Sequence, residues 1–263
     1  MYEPIIIKAD NLAQAWERAV IAVMQHAPER FIQAPDYLCR QRDAPVFIIV
    51  KNALNEPRIH PKAPVQPKQA DEYSKNVIFG MDNPDKENKF DYTYFGRFRR
   101  YPDCEMRAEW PNVVSEDKIE ETMKKIGEEN SKIKIIDQVQ LAIDTLKKDP
   151  SRRSIVMSSW IVARDSIKFG PKREKTSSPC ISYMQPQIID ENGEKKLHLF
   201  VIMKTNDLFN AWPLNAYAIV ELQKYMAEQI GVGVGSYNHL SVSMNIYEDV
   251  YGLAQELVDR PMF

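Results

Sequence analysis

The residues able to do chemistry lie in a few short blocks. Cys180 follows Ser177-Ser178-Pro179 at the mouth of a strand-like run, downstream of Lys172, Arg173 and Lys175. A thiol near positive charge has more thiolate character and is the better nucleophile, whereas a cysteine beside a strand also serves as a small core residue. Local sequence leaves both readings open. Arg152-Arg153 lies between a helix stop at Asp149-Pro150 and a strand. There, two forked guanidiniums can grip a phosphate, or can complement the helix dipole in water. Lys204-Thr205-Asn206-Asp207 gathers a cation, a hydroxyl, an amide and a carboxylate at a strand-to-helix junction, suited to capping, anion binding or both. The run FDYTYFGRFRRYP interleaves aromatics with cations at Arg97, Phe98, Arg99, Arg100 and Tyr101.

Composition narrows what these blocks can do. The 263 residues carry 35 Lys+Arg against 37 Asp+Glu, a net charge of −2, which disfavours a broad nucleic-acid surface. Only nine glycines occur, in neither a G-x-G-x-x-G nor a P-loop pattern, so a glycine-rich phosphate cradle is not expected. Cys39, Cys104 and Cys180 are odd in number and widely spaced, and His26, His60, His198 and His239 do not cluster with them. That spacing argues against a disulfide framework or a structural zinc site. No run approaches the roughly 18–20 apolar residues that span a bilayer, and the MYEPIIIKADN start lacks a leader's apolar core. The expectation is an uncleaved cytoplasmic protein without a membrane partner.

The elements that must position these blocks follow from periodicity. IIIKA reads as a strand, after which Asp10 or Asn11 caps a helix carrying Leu12, Trp16, Val20, Ile21 and Met24 on one face. PVFIIVKNA reads as a buried strand, and the proline-rich residues 56–70 as a surface loop. A charged helical stretch is expected over residues 115–132, then a helix with Ile135, Val139, Ala142, Ile143 and Leu146 inward, then the strand SIVMSSWIV. ISYMQPQII and LHLFVIMKT flank a turn at Asn192-Gly193, two residues that tolerate positive φ. Asn206 or Asp207 caps the run leading into LNAYAIVELQKYMAEQIG, which Gly231 ends; the strand LSVSMNIY and the helix EDVYGLAQELV follow. Irregular alternation around an antiparallel hairpin gives an α+β class, and the length suits one large domain or two small ones.

Read in order, DPSRRSIVMSSW, SSPCISYMQPQI, KTNDLFNAWPLNAYAIVELQKYMAEQIGVGVGSY and SVSMNIYEDVYG resemble the signature of the thymidylate synthase family, most closely its divergent archaeal-type members. The likeness covers about residues 134–250, and ordered blocks at compatible spacing are more specific than any single block. The resemblance implies a single thymidylate synthase-like domain over residues 1–263, an α+β fold with a mixed sheet flanked by helices, in which Cys180 adds to C6 of a uracil ring, so that C5 attacks the one-carbon unit of 5,10-methylenetetrahydrofolate. It matches Asn215 to the base-reading asparagine, Asp207 to the aspartate near folate, and Gln185 to the glutamine after the nucleophile. It also matches Tyr247 to the sugar-binding tyrosine and Tyr94 to the tyrosine of the aromatic block. Arg152 and Arg153 would reach the phosphate of a neighbouring subunit in a homodimer. Glu72 is the candidate catalytic glutamate with Glu56 its rival, and Arg40 or Arg42 the candidate phosphate arginine of the N-terminal loop.

The chain departs from the family pattern at four of these positions. Lys204 stands before Thr205 where arginine is expected, Asn245 where histidine precedes the x-Tyr, Ile181 beside the nucleophile, and Phe95 in place of the glycine after Tyr94. Lys204 keeps charge without the bidentate fork, and Asn245 can bond a sugar hydroxyl without titrating. The implied reaction is dUMP to dTMP, with a pyrimidine nucleoside monophosphate and a reduced folate as ligands. The alternative is 5-hydroxymethylation of dUMP, dCMP or CMP with the same folate.

Overall fold

The computed structural model describes residues 3–34, 37–80, 92–101, 136–161, 165 and 178–263. The expected helix over residues 115–132, Cys104, and the basic residues Lys172, Arg173 and Lys175 lie outside them. An eight-stranded mixed sheet organises the molecule, in the order β1 (Ile5–Ala9), β3 (Tyr37–Val50), β8 (Gly233–Tyr247), β6 (Glu194–Met203), β5 (Ile181–Glu191), β4 (Met157–Ser158). Two short strands join at its margin: β2 (Glu29–Ala34) pairs with β3, and β7 (Asn206–Asp207) with β8. β1 runs parallel to β3 and β6 parallel to β8, while β3–β8, β5–β6 and β4–β5 are antiparallel.

Local chemistry explains where the helices begin and end. Helix α1 (Leu12–His26) starts at Asn11, whose side chain accepts the Gln14 N–H at 2.9 Å. Helix α2 (Pro67–Phe79) occupies part of the stretch expected to be a loop. Its proline sits in the first turn, where the missing N–H costs nothing, and its buried Ala70, Ser74, Val77 and Ile78 recur at helical spacing. Helix α3 (Tyr94–Arg99) is capped by Thr93, and helix α4 (Gln138–Lys148) by Asp137. Of the described residues of SIVMSSWIV, only those of β4 pair into the sheet. Helix α5 (Trp212–Ile230) ends on Gly231 at φ 87°, and helix α6 (Tyr251–Asp259) follows a single 3-10 turn. The β5–β6 hairpin closes on Asn192 at φ 58° and Gly193 at φ 89°, the positive-φ pair its twist requires.

The core lies on one face of the sheet. Val46, Ile48 and Val50 of β3 and Leu197, Leu199, Val201 and Met203 of β6 are buried with Trp16 and Val20 of α1 and Ile219, Leu222 and Met226 of α5. On the opposite face, the register aligns Ile6, Phe47, Leu240, Ile202 and Tyr183 in a row across five strands. That row stays half-buried or exposed, and Phe200 and Val242 beside it are exposed.

Two buried polar clusters fasten the periphery. Arg97 and Asp165 are both fully buried and joined by two hydrogen bonds of 3.1 and 3.0 Å, and Arg99 pairs with Asp137 at 2.8 Å. Arg97 and Arg99 of the aromatic-basic run are thus committed to internal ion pairs. The fully buried Glu17 accepts the backbone N–H groups of Met262 and Phe263 at 2.8 and 2.7 Å and lies 3.1 Å from His60 Nε2. Because His60 Nδ1 accepts the Lys62 N–H, its Nε2 carries the hydrogen and donates to Glu17.

Candidate active site

The nucleophile candidate is placed by strand ends. Cys180 precedes β5, and its carbonyl accepts the Lys204 N–H at 3.0 Å, tying it to the end of β6. Its Sγ lies 3.6 Å from Thr205 Oγ1, and the next N–H, of Ile181, donates to the Tyr94 hydroxyl at 3.3 Å. β7 then pairs Asp207 with Asn245 of β8. Asp207 accepts the N–H groups of Phe209 and Asn210 and the Asn210 side-chain amide at 3.0–3.1 Å, folding the turn that launches α5. Asn215 sits in the first turn of that helix. Its partner is Tyr73 of α2, whose hydroxyl donates to Asn215 Oδ1 at 3.1 Å.

These elements enclose a cavity of about 760 Å³. Eight of the residues singled out in the sequence line it: Tyr94, Cys180, Thr205, Asn206, Asp207, Asn215, Asn245 and Tyr247. Ile32, Val77, Ala211 and Leu214 supply an apolar flank. The others stand elsewhere. Glu72 is exposed on α2, 3.9 Å from Lys68, and Glu56 accepts the Arg58 N–H in its loop; neither lines the cavity. Arg40 is exposed and pairs with Glu29 at 3.4 Å, and Arg42 donates to the Ala27 carbonyl. Lys204 Nζ bonds Ser178 Oγ beside the Trp160 ring. Gln185 donates to the Arg153 carbonyl at 2.7 Å and lines a shallow depression on the bare sheet face, and Arg152 and Arg153 are exposed.

Arg30, Asp43 and Tyr73 are among the polar lining residues not singled out in the sequence, with Gln41, Asn76 and Ser243. Arg30 bonds the buried Asp43 at 2.6 Å, and the other oxygen of Asp43 accepts the Ser243 hydroxyl at 2.8 Å. Arg30 lies on β2, whose ERFIQA lacks the clean alternation that would mark it as a strand. Tyr73 is one position from the expected Glu72 and points inward because α2 buries the side that carries Ala70 and Val77.

Burial governs the site's electrostatics. It pushes the phenols of Tyr73, Tyr92 and Tyr94 well above their ordinary range, so all three are neutral O–H groups at physiological pH. It also raises the Asp207 carboxyl, against the hydrogen bonds from Asn210 and Phe209 that favour its charge. Among the described residues, no group of His, Cys, Asp or Glu is arranged to hold a metal ion. Asn245 Nδ2 is buried without a hydrogen-bond partner among the described residues. A buried orphan donor on a cavity wall is a position for a ligand oxygen.

A mixed sheet flanked by helices that brings a thiol, several carboxamides, two carboxylates and several phenols to one cavity defines an α+β protein with a polar, nucleophile-bearing pocket. Comparison with known proteins gives the family. The thymidylate synthase family model matches residues 73–263. Archaeal relatives, each named "Putative thymidylate synthase", include one from Methanosarcina mazei, 24% identical over 96% of this chain and 94% of the relative. Another, from Methanocaldococcus jannaschii, is 28% identical over 73% of this chain and 69% of the relative. The chain belongs to the thymidylate synthase family, whose members use a folate cosubstrate to transfer a one-carbon unit to C5 of a pyrimidine nucleotide. Among the described residues, no helix is long and apolar enough to cross a membrane.

Proposed function

We propose that this protein, as a single thymidylate synthase-like domain, converts dUMP to dTMP with 5,10-methylenetetrahydrofolate. The observation that carries the reading is the convergence of Cys180, Asn215 and the orphan amide of Asn245 on one cavity. The Cys180 sulfur forms a bond to C6 and the displaced electron pair moves to C5 and O4, making C5 a carbon nucleophile. Asn215 accepts from N3–H and donates to O4, holding the pair of atoms across which that charge spreads. Asn245 and Tyr247 bond the sugar hydroxyl. A cavity of about 760 Å³ with an apolar flank of Val77 and Leu214 suits a nucleotide stacked against a flat heterocycle. The folate, when bound, would supply the methylene and the hydride and leave as dihydrofolate, while C5 gives up its proton and the C6–S bond breaks to return Cys180. Among the described residues, with Glu72 and Glu56 outside the cavity, Asp207, Asp43 and the buried phenols are the groups placed to order water and protons around the base.

Arg30 takes the part of phosphate-binding cation in this reading in place of Arg40, since it alone of the two lines the cavity. Arg152 and Arg153, exposed beside the bare sheet face, serve a second protomer's phosphate in a homodimer built on that face. The test is incubation with dUMP and methylenetetrahydrofolate. Stoichiometric dihydrofolate and dTMP are expected, with at least about a thousandfold loss in Cys180→Ser. Hydroxymethylated nucleotide alongside unoxidised tetrahydrofolate would replace the synthase reading with a hydroxymethylase, and undiminished activity in Cys180→Ser would end the covalent one.

A further inference from the structure

We propose that Tyr73 is a positioning residue that sets base specificity, by pinning the carboxamide of Asn215 in the orientation that accepts a 4-oxopyrimidine and refuses a 4-aminopyrimidine. The inference rests on the reading of Asn215 as the residue that meets the base. A uracil edge offers a donor at N3 and an acceptor at C4, so it needs Oδ1 opposite N3 and Nδ2 opposite O4. A cytosine edge offers the reverse order and needs the amide turned by half a rotation. An asparagine free to turn serves either base and discriminates weakly.

Asn215 is not free to turn. The Tyr73 hydroxyl donates to Oδ1 at 3.1 Å and occupies one of its two lone pairs, leaving the second for N3–H and Nδ2 for O4. Turning the amide would bring Nδ2 against the phenol oxygen and send the phenol hydrogen in search of another acceptor. Among the described residues, the hydrogen-bond partner of Tyr73 is Asn215. The phenol remains a neutral donor because burial raises it far above physiological pH. The pin is also rigid: α2 and α5 are further joined by the Tyr217 hydroxyl donating to Asp71 at 2.5 Å and by the Phe79–Tyr225 ring contact. Leaving a buried hydroxyl unpaired costs enough to shift a binding ratio by about tenfold.

The experiment compares kcat/KM for dUMP and dCMP in the wild type and in Tyr73→Phe, which keeps the ring in its packing. The dUMP:dCMP ratio is expected to fall about tenfold, with dUMP use declining while dCMP use holds or rises. In an Asn215→Asp background, where a symmetric carboxylate has no amide orientation to fix, Tyr73→Phe should leave the ratio unchanged. Equal losses for both nucleotides, an unchanged ratio, or the same ratio change in the Asn215→Asp background would overturn the inference while leaving the synthase reading intact. A wild type that neither binds nor uses either nucleotide overturns both.

Discussion

His239 is fully buried in β8, with Tyr237 and Ser241 each 2.7 Å from its ring nitrogens. Burial pushes its pKa down to about 3, against about 6.5 in an unfolded chain. Below pH 6.5 the unfolded chain therefore binds a proton that the folded chain refuses, so this stability is present above 6.5 and is lost as pH falls. From pH 7 to 5, His239 alone should remove about 2 kcal/mol, and His60 and His198, also lowered by burial, act in the same direction. Urea midpoints at the two pH values should differ accordingly, and His239→Gln should flatten the dependence. A pH-independent midpoint would contradict the buried neutral assignment. At this scale much of the site was legible: Cys180, Thr205, Asp207 and Asn215 lie on segments whose spacing is covalently short. Tyr73 was not, because one residue on a helix is a turn of about 100° and nothing in DEYSKNV says which side packs on α5.

Elements were legible where one periodicity ran unbroken, as in α1, α5 and the β5–β6 hairpin. They were obscured where a helix opens on proline, as α2 does, or where pairing depends on a distant strand, as for β2. The departure at Phe95 has its account at this level. Gly80, the left-handed cap of α2 at φ 61°, faces the Phe95 ring so closely that an added Cβ would lie 2.6 Å from it. An aromatic after Tyr94 and a glycine after Phe79 are therefore complementary. Gly80→Ala should cost about 2–4 kcal/mol from the backbone strain and the clash together. Trimming the ring as well, in Gly80→Ala/Phe95→Leu, should restore part of that loss in denaturation experiments. Equal stability of Gly80→Ala and wild type would mean that the ring does not pack there.

Across the whole molecule, the uneven clothing of the sheet matters most. A row from Ile6 to Tyr183 with Phe200 and Val242 beside it is apolar surface of the kind that marks association. Sedimentation should give a dimer, and Phe200→Glu with Val242→Glu should yield a monomer deprived of most activity if Arg152 and Arg153 serve across the interface. A monomeric wild type with full activity would remove that role. The clasp at Glu17 bears on how the chain acquires its structure. Residues 245 and 246 positions apart must meet before that buried carboxylate has its backbone partners. Until those residues dock, Glu17 has His60 as its partner but lacks its two backbone donors, so the central sheet and α5 should gain native protection in pulse-labelling before α1 does.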